Sequence, residues 1–173
     1  MTLAVLIIGL LVLRGLGALG VRRFATWAAS GAHALAAMLV MTATAHFVPA
    51  GVTVMPTHAD LVAMVPPFVP APGAMVYATG VLELLGAIGL VVTRTRRAAG
   101  LCLVALFLLL LPANVYAAVA DVPFHGEAAS PLWQRIPEQV LYIGVALAAA
   151  LSAPASHHAV HTRPTEVTAA TLP

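Results

Sequence analysis

Five polar side chains stand out because they are set in strongly apolar runs: His46, Glu83, Asn114, Arg135 and Gln139. Arg135 and His46 carry donors that hydrogen-bond a carbonyl or an anion. Glu83 could accept or relay a proton, a task for which enzymes use carboxylates in apolar surroundings. Its setting, MVYATGVLELLGAIGLVV over residues 75–92, is apolar almost throughout. An isolated charge there is very costly, so the carboxylate must be neutral, paired or used. Each residue also has a structural reading. Glu83 would lock helices together, Arg135 would snorkel toward headgroups, His46 would cap an interface, and Asn114 would join helices. Arg14 would pair with a carboxylate or snorkel inward.

Other chemistries find no support in the motifs. There is no Gly-rich phosphate loop, no Ser-His-Asp pattern and no HExxH. The single cysteine, Cys102, cannot form an internal disulfide, a CxxC relay or a zinc knuckle. His33 and His46 are thirteen residues apart, too far for one metal. His157, His158 and His161 have no companion ligands nearby in the sequence. No metal site and no intrinsic cofactor are therefore expected. A formal charge of +2, with no basic stripe and no lysine, gives no basis for binding nucleic acid.

The elements that must position these residues follow from composition. Of 173 residues, 61% are hydrophobic and only 8% charged. Mean hydropathy is +1.00. A soluble domain is about 45–50% apolar and about 25% charged. The chain therefore reads as an all-α integral membrane protein. Five segments reach spanning length: 3–20, 25–47, 73–93, 98–120 and 132–151. The first has its positives after it, as Arg22 and Arg23, which is the reverse of a signal peptide, so a retained helix is expected. Arg22 and Arg23 separate spans one and two. Arg94, Arg96 and Arg97 separate spans three and four. The other two loops carry no Arg or Lys. The positive-inside rule then places the N-terminus outside and the C-terminus in the cytoplasm. Arg135, at the outer start of span five, is the exception.

Depth groups the polar residues. At about 1.5 Å per residue, Glu83 lies near mid-membrane. His46, Asn114, Arg135, Glu138 and Gln139 share the outer layer, so Glu83 would floor an outward-opening pocket. Arg135 lies on one helical face with Gln139 and with Glu138. Pro112 frees a backbone carbonyl that Asn114 could satisfy. Pro137 falls early in span five, where proline costs least. The loop 48–72 is proline-rich, and Asp60 to Val65 fits one short amphipathic turn in an ordered interfacial cap. The organisation expected is an N-terminal helix and Arg turn (1–24), a membrane domain (25–151) and a disordered cytoplasmic tail (152–173).

The strings ATAHFVP, DLVAMVPPFVPAPGAMVYATGVLELLGAIGLVVTRTRRAAG, LLLPANVYAAV and PLWQRIPEQVLYI resemble the DoxX-like family of small bacterial integral membrane proteins. The resemblance runs from about Ala28 to Ala148. It implies a compact four-helix transmembrane bundle built from spans two to five, with span one as an extra N-terminal helix. It implies a place in the bacterial cytoplasmic membrane. It also implies a link to quinone, sulfur or thiol redox chemistry, since the family's name comes from a subunit associated with a thiosulfate:quinone oxidoreductase. The recurrent polar positions it carries over are His46, Glu83, Asn114, Arg135 and Gln139. Relatives linked to amine dehydrogenase maturation work with cysteines, and this chain has only Cys102.

Two functions follow as expectations. One is a redox-associated subunit whose pocket holds a quinone headgroup or a small oxidised sulfur species, with electrons supplied by an oxidoreductase partner. Glu83→Gln would then abolish activity and leave assembly intact. The other is a non-catalytic anchor, assembly factor or carrier of a small molecule or lipid in the bilayer. The same substitution would then alter detergent stability instead. A channel or transporter is the weakest reading, because five short spans without a repeat offer no permeation path.

Overall fold

A computed structural model describes residues 2–127 and 130–153, so the tail beyond Ala153, with His157, His158 and His161, lies outside the described residues. Among these residues the chain is all-helical, with one isolated bridge between Phe124 and Glu127 and no strand. The helices are α1 (Thr2–Ala18), α2 (Trp27–Thr44), α3 (His58–Ala63), α4 (Pro72–Val91), α5 (Arg96–Val119) and α6 (Leu132–Leu151), with a 3₁₀ turn over Arg22–Phe24. Each of the five apolar runs coincides with one long helix.

Local chemistry sets the boundaries. Thr26 caps α2 by accepting from the Ala29 N–H at 3.1 Å. Pro72 opens α4 at a position where its missing N–H costs nothing. Pro112 lies inside α5. Pro137 is inside α6, past the first turn, so it deletes a helical hydrogen bond that the reading of an early, cheap proline did not charge.

Helix α2 packs on α4, α4 on α5, α5 on α6, and α6 back on α2, which closes a ring. Helix α1 lies against α2. The Tyr142 hydroxyl donates to Thr2 Oγ1 at 3.1 Å and ties the start of α1 to α6. Small residues make the ring tight. The core joins Ala32, Leu35 and Leu39 of α2 to Leu90, Leu103 and Ala146. Gly80 lets α2 and α4 touch, because a Cβ there would stand 2.5 Å from the His46 Cβ.

Outside the ring, apolar side chains are left uncovered: Ile88, Leu85, Leu109, Leu11 and Val140 are all exposed. Two helices, α4 and α5, are long and apolar enough to cross a membrane. Helix α1 is apolar but has 17 residues. Polar residues dilute α2 (Ser30, His33, Thr42) and the first half of α6 (Gln134, Arg135, Glu138, Gln139).

The proline-rich loop is ordered against α4. A capping box starts α3: the Thr57 N–H donates to Asp60 Oδ2 at 2.7 Å, and the Asp60 N–H donates to Thr57 Oγ1 at 3.3 Å. The helix therefore begins at His58, earlier than the turn read from Asp60. His58 stacks on Tyr77 of α4 at 4.1 Å and donates to the Gly73 carbonyl at 3.1 Å. Burial opposes ionisation of Asp60, but the Thr57 N–H and hydroxyl, with His125 adding to them, hold its carboxyl below the usual range. A depressed carboxyl stabilises the fold above its unfolded pKa, and that contribution is lost as pH falls through the folded value. Thr57→Ala is expected to loosen α3 by about 1 kcal/mol. Hydrogen exchange of 57–64 should rise in the variant at neutral pH, and the difference from wild type should narrow without vanishing once Asp60 is protonated, because the Thr57 hydroxyl still accepts from the Asp60 N–H.

Candidate functional site

The five polar residues fall into two groups on opposite sides of the ring. On the α5–α6 side, Arg135 is held by two bonds. Its Nε donates to the Ser130 carbonyl at 2.9 Å, and an Nη donates to Asn114 Oδ1 at 3.3 Å. The Asn114 amide nitrogen donates to the Leu110 carbonyl one turn back, at 3.2 Å. It thus serves its own i−4 carbonyl, and not the Leu108 carbonyl, to which Pro112 has no N–H to donate. Gln139 is buried and donates from Nε2 to the Phe107 carbonyl at 2.9 Å, which ties α6 to α5. Glu138 accepts from Gln134 at 3.2 Å, not from Arg135.

These residues wall a cavity of about 240 Å³. Asn114, Arg135, Glu138, Gln139 and Tyr142 give it polar sides. Leu61 and Met64 at the end of α3, and Phe124, give it an apolar cover. The loop between α2 and α4 and the loop between α5 and α6 thus meet over one site. A guanidinium has five N–H donors. Two of those of Arg135 are occupied, so its plane is fixed while donors remain for a ligand oxygen.

On the α2–α4 side lie Glu83 and His46, at 7% and 8% exposure. Thr42 Oγ1 stands 3.1 Å from Glu83 Oε2 and 3.2 Å from the Leu39 carbonyl. His46, one turn beyond Thr42, packs on Gly80, and its Nδ1 has no hydrogen-bond partner among the described residues. Neither Glu83 nor His46 lines the 240 Å³ cavity. Glu83 meets Thr42, and neither Arg14 nor Arg135. The Arg14 guanidinium instead lies 5.5 Å over the Trp27 ring.

Sequence reasoning missed Tyr142 and Thr42. Tyr142 continues the Arg135–Gln139 face at i+7, a spacing that the helical period makes visible. Thr42 carries no such signal, because its meeting with Glu83 is set by helix register. It also missed the work of the arginines. Arg96 is buried and donates from Nε to the Leu90 carbonyl at 2.8 Å, which caps the end of α4. Arg23 donates from Nε to His33 Nε2 at 2.8 Å and reaches the Val91 carbonyl at 3.4 Å. His33 Nδ1 in turn donates to the Ala29 carbonyl at 2.7 Å. Among the described residues, no group of three His, Cys, Asp or Glu is placed to hold a metal ion.

Fold and site together define an all-helical protein with two helices fit to cross a membrane and a polar cavity under an ordered cap. The family model described as Domain of unknown function (DUF8561) matches residues 35–150, and the chain belongs to that family. The match takes in the cavity-lining helices α5 and α6 and leaves out α1. No curated protein and no solved structure matches the chain.

Proposed function

We propose that the chain is a multi-pass protein of the bacterial cytoplasmic membrane, DoxX-like in type, whose outer cavity binds a quinone headgroup or a small oxidised sulfur anion for a redox partner. The ring of α2, α4, α5 and α6 supports a four-helix transmembrane bundle, with α1 as a fifth span beside it. The exposed apolar side chains support a lipid surround. The distribution of arginine supports an outside N-terminus and an inside C-terminus.

The observation that carries the reading is Arg135. Its guanidinium is braced by Ser130 and Asn114 at the wall of a 240 Å³ cavity and keeps donors to offer. A braced planar fork recognises a carbonyl or an oxoanion at little further entropic cost. A quinone fits this donor set: Arg135 would hold a ring carbonyl, and Leu61 and Met64 would exclude water above it. The quinone, when bound, would supply two-electron redox chemistry, with an oxidoreductase partner as the electron source. Bound to Thr42 in the α2–α4 interface, Glu83 belongs to helix pairing before it belongs to proton transfer.

The test is titration of the purified full chain with decylubiquinone and, separately, with thiosulfate, followed by tryptophan fluorescence. Saturable binding of one of them is expected. Arg135→Ala should weaken it by about tenfold or more, because a charged hydrogen bond is lost. Saturable binding that Arg135→Ala leaves unchanged would overturn the site. A second reading, an anchor or assembly factor, draws support from Gln139 and Glu83, whose polar atoms join helices. Under it neither ligand binds, and substitutions change only stability in detergent.

A further inference from the structure

At the end of the molecule opposite the cavity, α2 begins, α4 ends and α5 begins. Between α2 and α4 a groove of about 420 Å³ opens there. Its walls are Ala36, Ala37 and Val40 on one side and Ala87, Ile88 and Val91 on the other, and His33 is the polar residue among them. Two of its residues, His33 and Val91, are the ones that hold Arg23. The exposed Arg23 guanidinium therefore sits at the groove's mouth with two of its five donors engaged. Arg22, Arg94 and Arg97 are exposed at the same end. The carboxylates of the described residues lie elsewhere: Glu83 in mid-helix, Asp60, Asp121 and Glu127 in the opposite loops, and Glu138 at the opposite start of α6. Among the described residues no acid offsets this positive charge.

We propose that this groove holds one acyl chain of an anionic phospholipid whose phosphate rests on Arg23. The inference rests on the membrane-spanning reading and is independent of the outer cavity. Lipid tails are as apolar as leucine, so the groove by itself selects nothing. It fixes where the chain lies, and small Ala36, Ala37 and Ala87 leave it the room. Selection comes from the headgroup. The guanidinium fork matches phosphate oxygens, and the surrounding arginines disfavour a headgroup that carries its own ammonium. Negatively charged lipids face such clusters on the cytoplasmic leaflet.

The test is native mass spectrometry of the full chain in mild detergent, titrated with phosphatidylglycerol and with phosphatidylethanolamine. One phosphatidylglycerol per chain is expected, retained about tenfold better than phosphatidylethanolamine. Ala37→Phe, which fills the groove and leaves Arg23 in place, should abolish the retained lipid. Arg23→Gln should erase the preference between headgroups. Equal retention of the two lipids overturns the proposal, as does undiminished retention by Ala37→Phe, which decides the matter even if Arg23→Gln does not fold. Alkaline carbonate extraction separates the two levels. A chain released by carbonate removes the membrane reading itself, whereas a chain that stays without lipid preference removes only the groove.

Discussion

Gly100→Val is expected to leave no folded, monodisperse protein in mild detergent, while Gly144→Ala leaves the thermal midpoint unchanged or slightly higher. Both glycines lie in long helices that pack on each other, yet their surroundings differ. A Cβ on Gly100 would stand 2.6 Å from the Ala146 carbonyl oxygen and 2.9 Å from the Ala150 Cβ. The nearest atoms are backbone and a methyl group fixed to it, so no side chain can swing away. Helices α5 and α6 would have to separate. Overpacking a core costs about 1–3 kcal/mol where side chains can adjust, and more where they cannot. Separation would also dismantle the polar cavity, since Gln139 reaches the Phe107 carbonyl and Arg135 reaches Asn114 across this same contact. Gly144 has nothing within 4 Å of its would-be Cβ, and alanine there gains up to about 1 kcal/mol of helix propensity. Size-exclusion profiles and thermal unfolding of the two variants make the comparison. A Gly100→Val protein that elutes and melts like wild type would mean that α5 and α6 do not approach this closely.

What could be read in advance divides along a physical line. Helix positions were legible because each apolar run is bounded by charge or proline: Arg22 and Arg23 before α2, Pro72 at α4, Arg96 at α5, Pro131 at α6. The face shared by Arg135, Glu138 and Gln139 was legible because helical periodicity is fixed. Contacts between helices were not. Thr42 looks like any small polar residue in an apolar helix until α4 is placed in register with α2. The depth argument put Glu83 below an outer polar layer, but depth carries no azimuth. Around the ring, Glu83 and His46 turn toward the α2–α4 seam, while Asn114, Arg135 and Gln139 turn toward α5–α6. Arg23 and Arg96 were legible as orientation signals and not as caps of α4, because a cap requires the helix end to be in place. The start of α3 was written in the sequence as Thr57-His-Ala-Asp60, a capping-box spacing.

That seam makes Glu83 the sharpest remaining test, and the expected result is a strong dependence on what replaces it. Glu83→Gln should fold with a midpoint within a few degrees of wild type, because the amide oxygen still accepts from Thr42. Glu83→Leu should also fold. The Thr42 hydroxyl has a second acceptor 3.2 Å away in the Leu39 carbonyl, so removing the carboxylate orphans no donor. A buried polar pair replaced by an apolar side chain is often neutral or stabilising. Glu83→Lys should fail to fold. It would put an ammonium where Glu83 is 7% exposed, and among the described residues no other carboxylate reaches this seam. A buried unpaired charge costs about 3–5 kcal/mol or more, which is a large share of the roughly 5–15 kcal/mol that stabilises an ordinary domain. Thr42→Val supplies the reciprocal arm. It removes the hydrogen bond to Glu83 and should cost about 1 kcal/mol or somewhat more, and in the Glu83→Leu background that cost should vanish. Thermal unfolding of the four variants and the double variant reads the cycle. A zero coupling energy would mean that Thr42 and Glu83 do not act as a pair. Equal loss of folding in Glu83→Gln and Glu83→Lys would mean that the carboxylate itself, and not merely an acceptor at that position, holds α2 to α4.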